Sequence, residues 1–474
     1  MNQLFIYILL LIIITKPFSN HFGQTYLWTR PSYSLFTIQQ NLWFDLVFGK
    51  SCKKSFQIIG LAQKTNHQNK NINKYFFFNT PETIVTSENA KISGTERLRS
   101  QWLGLGFGLE DELKFEGKFN INPEESRKGF LAMWRIDKTD NRRITFLNNS
   151  WICITLPFEY VKHELNTNYI SENKADLILA LNQFKYSKLK QNTKSIGFTE
   201  LRLELGFDFF SEEKLAAFFS TFLGIPLASK QSGINLFEAT RGYGKNIIWG
   251  GSLYSTFLLN CSDYSQIRFF LGMQNIYLIP DNQYRTLNLF AKPVSRYVRL
   301  VNKNGEKNIP GIDIFTQYCK ISPYNIGDIT AGFIFELCDI KFLINYGLWT
   351  KGHERVELIN PWPQDYWGID AQKEGQTIDN FPLTASMSSA SFLATPDQNL
   401  NGDNIFIPIQ NRDLDLISAA SRGTIVHRIE YSIGYEFNKK NKSTIFSLGS
   451  YYEFQQNNCA LASWGLWSKM GFNF

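Results

Sequence analysis

The chain of 474 residues has no internal apolar run approaching the roughly 20 residues a membrane-spanning helix requires, which excludes a helical membrane protein. Cysteine is scarce and scattered. Cys52, Cys153, Cys261, Cys319, Cys338 and Cys459 form no C-x-x-C pair and no zinc spacing, so neither a disulfide-stapled small domain nor a zinc ribbon fits. Cys319 and Cys338 could pair only if their strands were neighbours. The histidines His21, His67, His163, His353 and His427 include no H-E-x-x-H and no close pair. There is no G-x-S-x-G element, so no hydrolytic site can be named. The formal charge of +7 is spread without a basic block, and nucleic acid is not indicated. No repeat of 20 to 50 residues is visible, which argues against a propeller or a solenoid.

What the chain does have is aromatic side chains, 15% of all residues, and long alternating segments. "LRLELGFDFF" puts Leu201, Leu203, Leu205, Phe207 and Phe209 on one face and Arg202, Glu204, Gly206 and Asp208 on the other. "IKFLINYGLWTK" and "IVHRIEYSIGYEF" alternate in the same way. Globular strands average about 5–6 residues, and these run to about 10–13, the length of a tilted strand crossing a bilayer. About sixteen such segments can be placed, near 55–64, 101–109, 112–121, 129–137, 151–162, 198–210, 214–226, 247–260, 265–279, 285–300, 311–322, 327–338, 340–351, 425–437, 443–454 and 461–474. The count therefore predicts an all-β antiparallel barrel of about 14–16 strands. Glycines at 206, 332, 347, 434, 449, 465 and 471 recur on the polar face, where they would help the sheet curve and leave room inside. Short turns are expected at 209–215, 337–342 and 436–446. Long loops are expected near 163–197, with a short helix over 175–186, and near 352–424.

The polar faces supply the candidate functional residues. Glu200, Arg202, Glu204, Asp208, Arg268, Lys341, Arg428 and Glu430 would line the lumen of such a barrel and set a field along it. In "DQNLNGD", Asp397, Asn399, Asn401 and Asp403 with Gly402 resemble the opening of a calcium loop, though Pro408 stands where the bidentate glutamate would be. Calcium is thus the one cofactor to consider, and an ordinary polar loop is the simpler reading. "RGYGKN" (241–246) lacks the full phosphate-loop spacing and reads as a loop between strands. His427 falls on the apolar face near a strand end, suited to the membrane interface. "LFIYILLLIII" (4–14) has the length of an export signal's apolar core, so residues 1–24 read as a signal peptide and 25–474 as the barrel.

The last segment, "ALASWGLWSKMGFNF", alternates to the final residue, with Met470, Phe472 and Phe474 on its apolar face. With the export signal and the long alternating strands, it resembles the Gram-negative outer-membrane β-barrels. The resemblance implies location in the outer membrane, contact with its lipid, and recognition of Met470, Phe472 and Phe474 by the barrel-assembly machinery. It also implies a porin-like channel for passive diffusion of small hydrophilic solutes, with homo-oligomers among the forms such barrels take. A surface adhesin acting through its long loops is the alternative, and a barrel hydrolase a more distant one; on the first two readings the protein is not an enzyme.

Overall fold

The computed structural model describes residues 23–34, 54–66, 72–77, 81–86, 97–105, 115–137, 150–211, 214–262, 264–290, 292–323, 325–370, 394–395, 408–439, 442–456 and 459–473. Twelve long strands close into an up-and-down antiparallel barrel. They are β1 (Lys54–Thr65), β2 (Glu124–Asp137), β3 (Ser150–Glu164), β4 (Glu200–Ser211), β5 (Leu215–Pro226), β6 (Ile248–Cys261), β7 (Ser265–Leu278), β8 (Ile326–Leu337), β9 (Ile340–Lys351), β10 (Thr424–Lys439), β11 (Lys442–Gln455) and β12 (Ser463–Asn473). Each pairs with its sequence neighbour. The seam runs between β1 and β12, from Ser55↔Asn473 to Thr65↔Ser463. Closure leaves no sheet edge unpaired, which is the condition for strands to survive in lipid.

The expected count of 14–16 strands is corrected to twelve. The segments at 101–109, 112–121, 285–300 and 311–322 are not wall strands. Where described, they form short pieces such as Glu116–Asn120 and Thr316–Ser322 within the loops. Period 2 alone cannot separate the two cases, but burial does. Wall strands alternate, as in the exposed-then-buried rhythm of β1. By contrast Arg299–Asn302 is buried at every position.

The connections sort by length. Two residues join β8 to β9 and β10 to β11, and three join β4 to β5 and β6 to β7. Cys338, in the first of these turns, takes a left-handed φ of +53°, as a tight hairpin demands. At the opposite end lie the excursions 66–123, 165–199, 227–247, 279–325 and 352–423. Long loops face outward in such barrels. Their described parts fold into a cap with its own apolar core, built on Ile72, Phe76, Phe119, Leu177, Phe315 and Val356. The helix expected over 175–186 is Lys174–Asn182; it packs Leu177, Ala180 and Leu181 into the cap. Cys319 is buried in the cap and Cys338 exposed at the turn end, so they do not face each other, and neither forms a disulfide.

The wall's register shifts at Ala217/Phe218, at Leu258/Asn260 and, at the loop end, between β3 and β4. Asn192–Phe198 continues β4 upward along β3, and from Thr155↔Arg202 to Phe158↔Phe198 three steps of β3 oppose four of β4. Pro157, which has no N–H to donate, sits at this point, and its carbonyl instead accepts from the Thr199 N–H at 3.0 Å. The inward glycines do not leave empty space. A Cβ on Gly206 would stand 2.0 Å from the Trp151 ring, and one on Gly449 2.3 Å from Trp467. Gly206, Gly449 and Gly465 are each filled by an aromatic ring, Gly347 by the Arg428 guanidinium, and Gly332 and Gly434 by Asn345 and Ser447.

Candidate functional site

Inward residues of the wall form linked charge clusters. From β2 and β3, the Arg127 guanidinium donates to Glu125 at 2.7 Å and to Glu159 at 3.2 Å, and His163 Nε2 meets Glu125 at 2.7 Å. On β4, Arg202 donates to Glu200 at 2.8 Å and lies over the Phe222 ring. Ser220 donates to Glu204 at 2.5 Å. Further round, Arg428 of β10 reaches Asp328 of β8 at 3.4 Å and Glu430 at 3.9 Å. The Trp467 indole donates to Glu430 at 3.0 Å. Arg127, Arg428 and Glu430 are wholly buried, so each charge depends on its partners rather than on water.

Through this lumen runs the segment 23–34, here called the strap. At the cap end the Gln24 N–H donates to the Tyr75 carbonyl and the Thr25 N–H to that of Ser418. Trp28 then stacks between Tyr243 and Trp349, with centroids 6.1 and 6.0 Å away. Thr29 accepts from Arg127 at 2.9 Å, and Arg30 pairs with Glu453. The Ser32 hydroxyl donates to Glu159 at 2.7 Å and the Tyr33 hydroxyl to Glu200 at 3.2 Å. The wall's carboxylates thus serve both their arginines and the strap. "RGYGKN" belongs to the loop 227–247, but it dips inward, with the Gly242 N–H donating to Glu159 at 3.0 Å and Tyr243 buried against Trp28 and Tyr33. Gly242 and Gly244 take φ of +51° and +68° to make that descent.

Two pockets, of about 450 and 410 Å³ counting the space open to solvent, flank the strap. Tyr26, Gln283, Arg285, Lys351 and Glu354 line the first. Arg285 is buried across the Tyr26 ring with its Nε and Nη1 hydrogens unbonded. Burial pushes the Tyr26 hydroxyl up to about 12, a rise that nearby Arg285 opposes. Glu125, Glu453 and Gln63 line the second pocket with Arg30.

All eight residues expected on the polar faces point inward. The structure brings Glu200, Arg202 and Glu204 together on β4, and Arg428 and Glu430 on β10. Asp208 accepts from the Trp151 indole at 3.1 Å. Arg268, beside Gln266, and Lys341, paired with Glu436 at 2.8 Å, stand apart near the turn end. Glu125, Arg127, Glu159 and His163 were missed, although "EESRKG" already places Glu125 and Arg127 on one face. The strap has no periodic signal that could have found it. The helix Lys174–Asn182 packs in the cap, and it is the strap that occupies the lumen. Asp397, Asn399, Asn401, Asp403, Phe474 and the run 4–14 lie outside the described residues. Among the described residues, no group of three or more His, Cys, Asp or Glu is placed to hold a metal ion.

The outer face is the converse of the lumen. Ile344, Ile429, Leu448 and Leu466 are about half exposed along mid-strand, bordered by Trp249, Tyr277 and Trp464 toward the loops and by Trp134, Phe335 and Phe342 toward the turns. Met470 and Phe472 belong to this face, as does His427, stacked on Phe454 and bonded to the Tyr346 hydroxyl. A closed barrel with an apolar band between aromatic girdles is built for lipid. The chain is a transmembrane β-barrel.

No family model and no curated protein matches this barrel. Among solved structures it is similar to an outer-membrane channel from Pseudomonas putida F1, at 7% identity and TM-score 0.37, covering 90% of this chain and 97% of that one. It is also similar to the transport unit of the autotransporter AIDA-I from Escherichia coli, at 9% and 0.34, covering 94% and 99%. A third is the toluene transporter TodX of P. putida, at 8% and 0.32, covering 90% and 92%. At these scores the likeness adds nothing to the barrel's own geometry.

Proposed function

We propose that the protein is a channel for small hydrophilic solutes in which the strap is the gate. The observation that carries this reading is the strap itself, held in a polar lumen by single side-chain contacts rather than by strand pairing. With the strap displaced, the remaining column would be lined by Glu, Arg, Gln and Lys among inward rings such as Trp349, Tyr451 and Trp467, a mixed surface whose charges would favour polar solutes and ions. On this reading passive diffusion follows strap release, and the protein is not an enzyme. Planar-bilayer recording tests it. The full-length protein should conduct rarely, and Trp28→Ala with Arg30→Ala and Tyr33→Ala should raise its open probability. No conductance from either protein at any voltage would sink the proposal.

A second reading draws support from the cap, whose apolar core gives the loops a folded surface of their own. On it the protein binds a partner outside the cell through the cap. Binding lost on removal of the cap segment 352–423, with conductance unchanged by the strap substitutions, would favour it.

A further inference from the structure

The outer surface of the barrel is not uniform around its circumference. At the loop end, Lys64 of β1, Lys128 of β2, Lys162 of β3 and Lys194 of the β4 extension point outward on four adjacent strands. The register sets them side by side: Ala62 faces Lys128, Ser126 faces Lys162, and Lys162 faces Lys194. Lys64 lies 3.9 Å from Glu124 and Lys162 2.5 Å from Glu164, while Lys128 and Lys194 have no carboxylate partner among the described residues. Four cations against two anions leave the sector positive. The outward loop-end positions of β5–β12 carry no lysine or arginine among the described residues; Trp249, Tyr277, Thr350, Ile425, Phe454 and Trp464 stand there instead.

Directly below the lysines the apolar band is lined by small residues, which leave a shallow track between larger neighbours. On the outer face of β1 the chain steps from Lys64 to Ala62 to Gly60, and Gly60 lies opposite Ser468 of β12. Phe130, stacked on Phe158 at 5.3 Å, stands on one side of this floor, and Leu466 on the other. A cationic cluster at headgroup depth above a shallow apolar track has the shape of one lipid molecule, with charge at the top and an acyl chain below.

We propose that this sector of β1–β4 is a docking site for a phosphate-bearing acylated lipid of the outer leaflet, its phosphates held by Lys64, Lys128, Lys162 and Lys194. Independent of any channel activity, the site depends only on the barrel lying in the membrane with its loops outward.

Full-length protein in detergent, its fold checked by the heat-dependent gel mobility of closed barrels, is titrated with a bis-phosphorylated, acylated diglucosamine lipid. Native mass spectrometry then reads bound lipid. The variant K64Q/K128Q/K162Q/K194Q should bind at least about tenfold more weakly, since each lysine near an anionic lipid surface contributes on the order of 1 kcal/mol. K54Q/K442Q, which removes two exposed lysines at the turn end, should bind as the native protein does. Ala62→Phe, filling the track with every lysine kept, should also weaken binding. Equal affinity for the dephosphorylated lipid, or full retention by the quadruple variant, overturns the proposal. So does saturable binding of inorganic phosphate with no gain from the acyl chains.

Discussion

The molecule has two interiors, both with apolar clusters, and they differ in how much paired charge they bury. In the cap the wholly buried side chains are mainly apolar, Phe76, Phe77, Phe119, Leu177 and Phe315 among them, with Arg296 and Asn73 buried beside them. In the lumen Arg127, Arg428, Glu430 and Ser220 are buried to the same degree, set among apolar and aromatic side chains such as Ile59, Trp151, Tyr254 and Phe270. Burial is equal, so burial alone does not decide what goes inside. Surroundings do. The cap sits in water, and its apolar surface gains by turning inward. The wall sits in lipid, where apolar side chains gain nothing by hiding, so the alternation of each strand can send charged residues in, where they lie among inward rings such as Trp151 and Trp467. An apolar core is then held by packing, whereas an ionic one is held by having every charge answered.

The largest effect should come from breaking one answer in the lumen. Arg428→Ala leaves Asp328 and Glu430 buried without their cation and should cost about 3–5 kcal/mol of barrel stability, read by urea unfolding in detergent. Removing all three charges together, with Arg428→Met, Asp328→Asn and Glu430→Gln, should recover most of that loss. If the triple variant is no better than the single one, packing rather than charge pairing holds the lumen together. In the cap the complementary change is Leu177→Ala. It should cost about 3 kcal/mol through the cavity it leaves. The loss should appear as cap proteolysis, while the barrel keeps its heat-dependent gel mobility.

A smaller effect tests the outer face. Ile344 lies near the middle of β9 and is 51% exposed to what would be lipid. Ile344→Arg should cost about 2 kcal/mol or somewhat more in a bilayer. Neutrality there would mean that this face meets water, and the contrast between the two interiors would lose its cause.

Much of the wall was legible in advance because its rule is local. Glu200, Arg202 and Glu204 alternate with Leu201, Leu203 and Leu205, and nothing outside the strand is needed to see it. The cap was not legible for the same reason. "RTLNLF" alternates as well as a wall strand does, yet Leu287, Asn288 and Leu289 are all buried, because chain from distant loops covers both faces. Those segments inflated the strand count. The strap escaped for a different reason. Its residues are neither periodic nor charged as a group, and they become a unit only once Trp28 meets Tyr243 and Trp349 and Ser32 meets Glu159. Contacts separated by more than a hundred residues leave no mark on either segment taken alone.

The smallest effect sharpens where the two interiors meet, at Tyr26 on the strap beside Arg285. Its hydroxyl holds its proton up to about pH 12 in the folded protein because burial disfavours the phenolate. A released strap would ionise near the ordinary value of about 10. Between those limits the seated strap binds more protons than the free one, so rising pH favours release. The strap's hold is therefore intact below pH 10 and declines as pH climbs toward 12. Tyr26 retains some exposure, and the decline should come to about 1 kcal/mol, a several-fold rise in open probability. Tyr26→Phe cannot ionise and should abolish the alkaline rise while leaving conductance at neutral pH nearly unchanged. An alkaline rise that persists in Tyr26→Phe would place the sensitive group elsewhere. No rise in either protein would mean that the cap's apolar packing, not the polar lumen, sets how firmly the strap is seated.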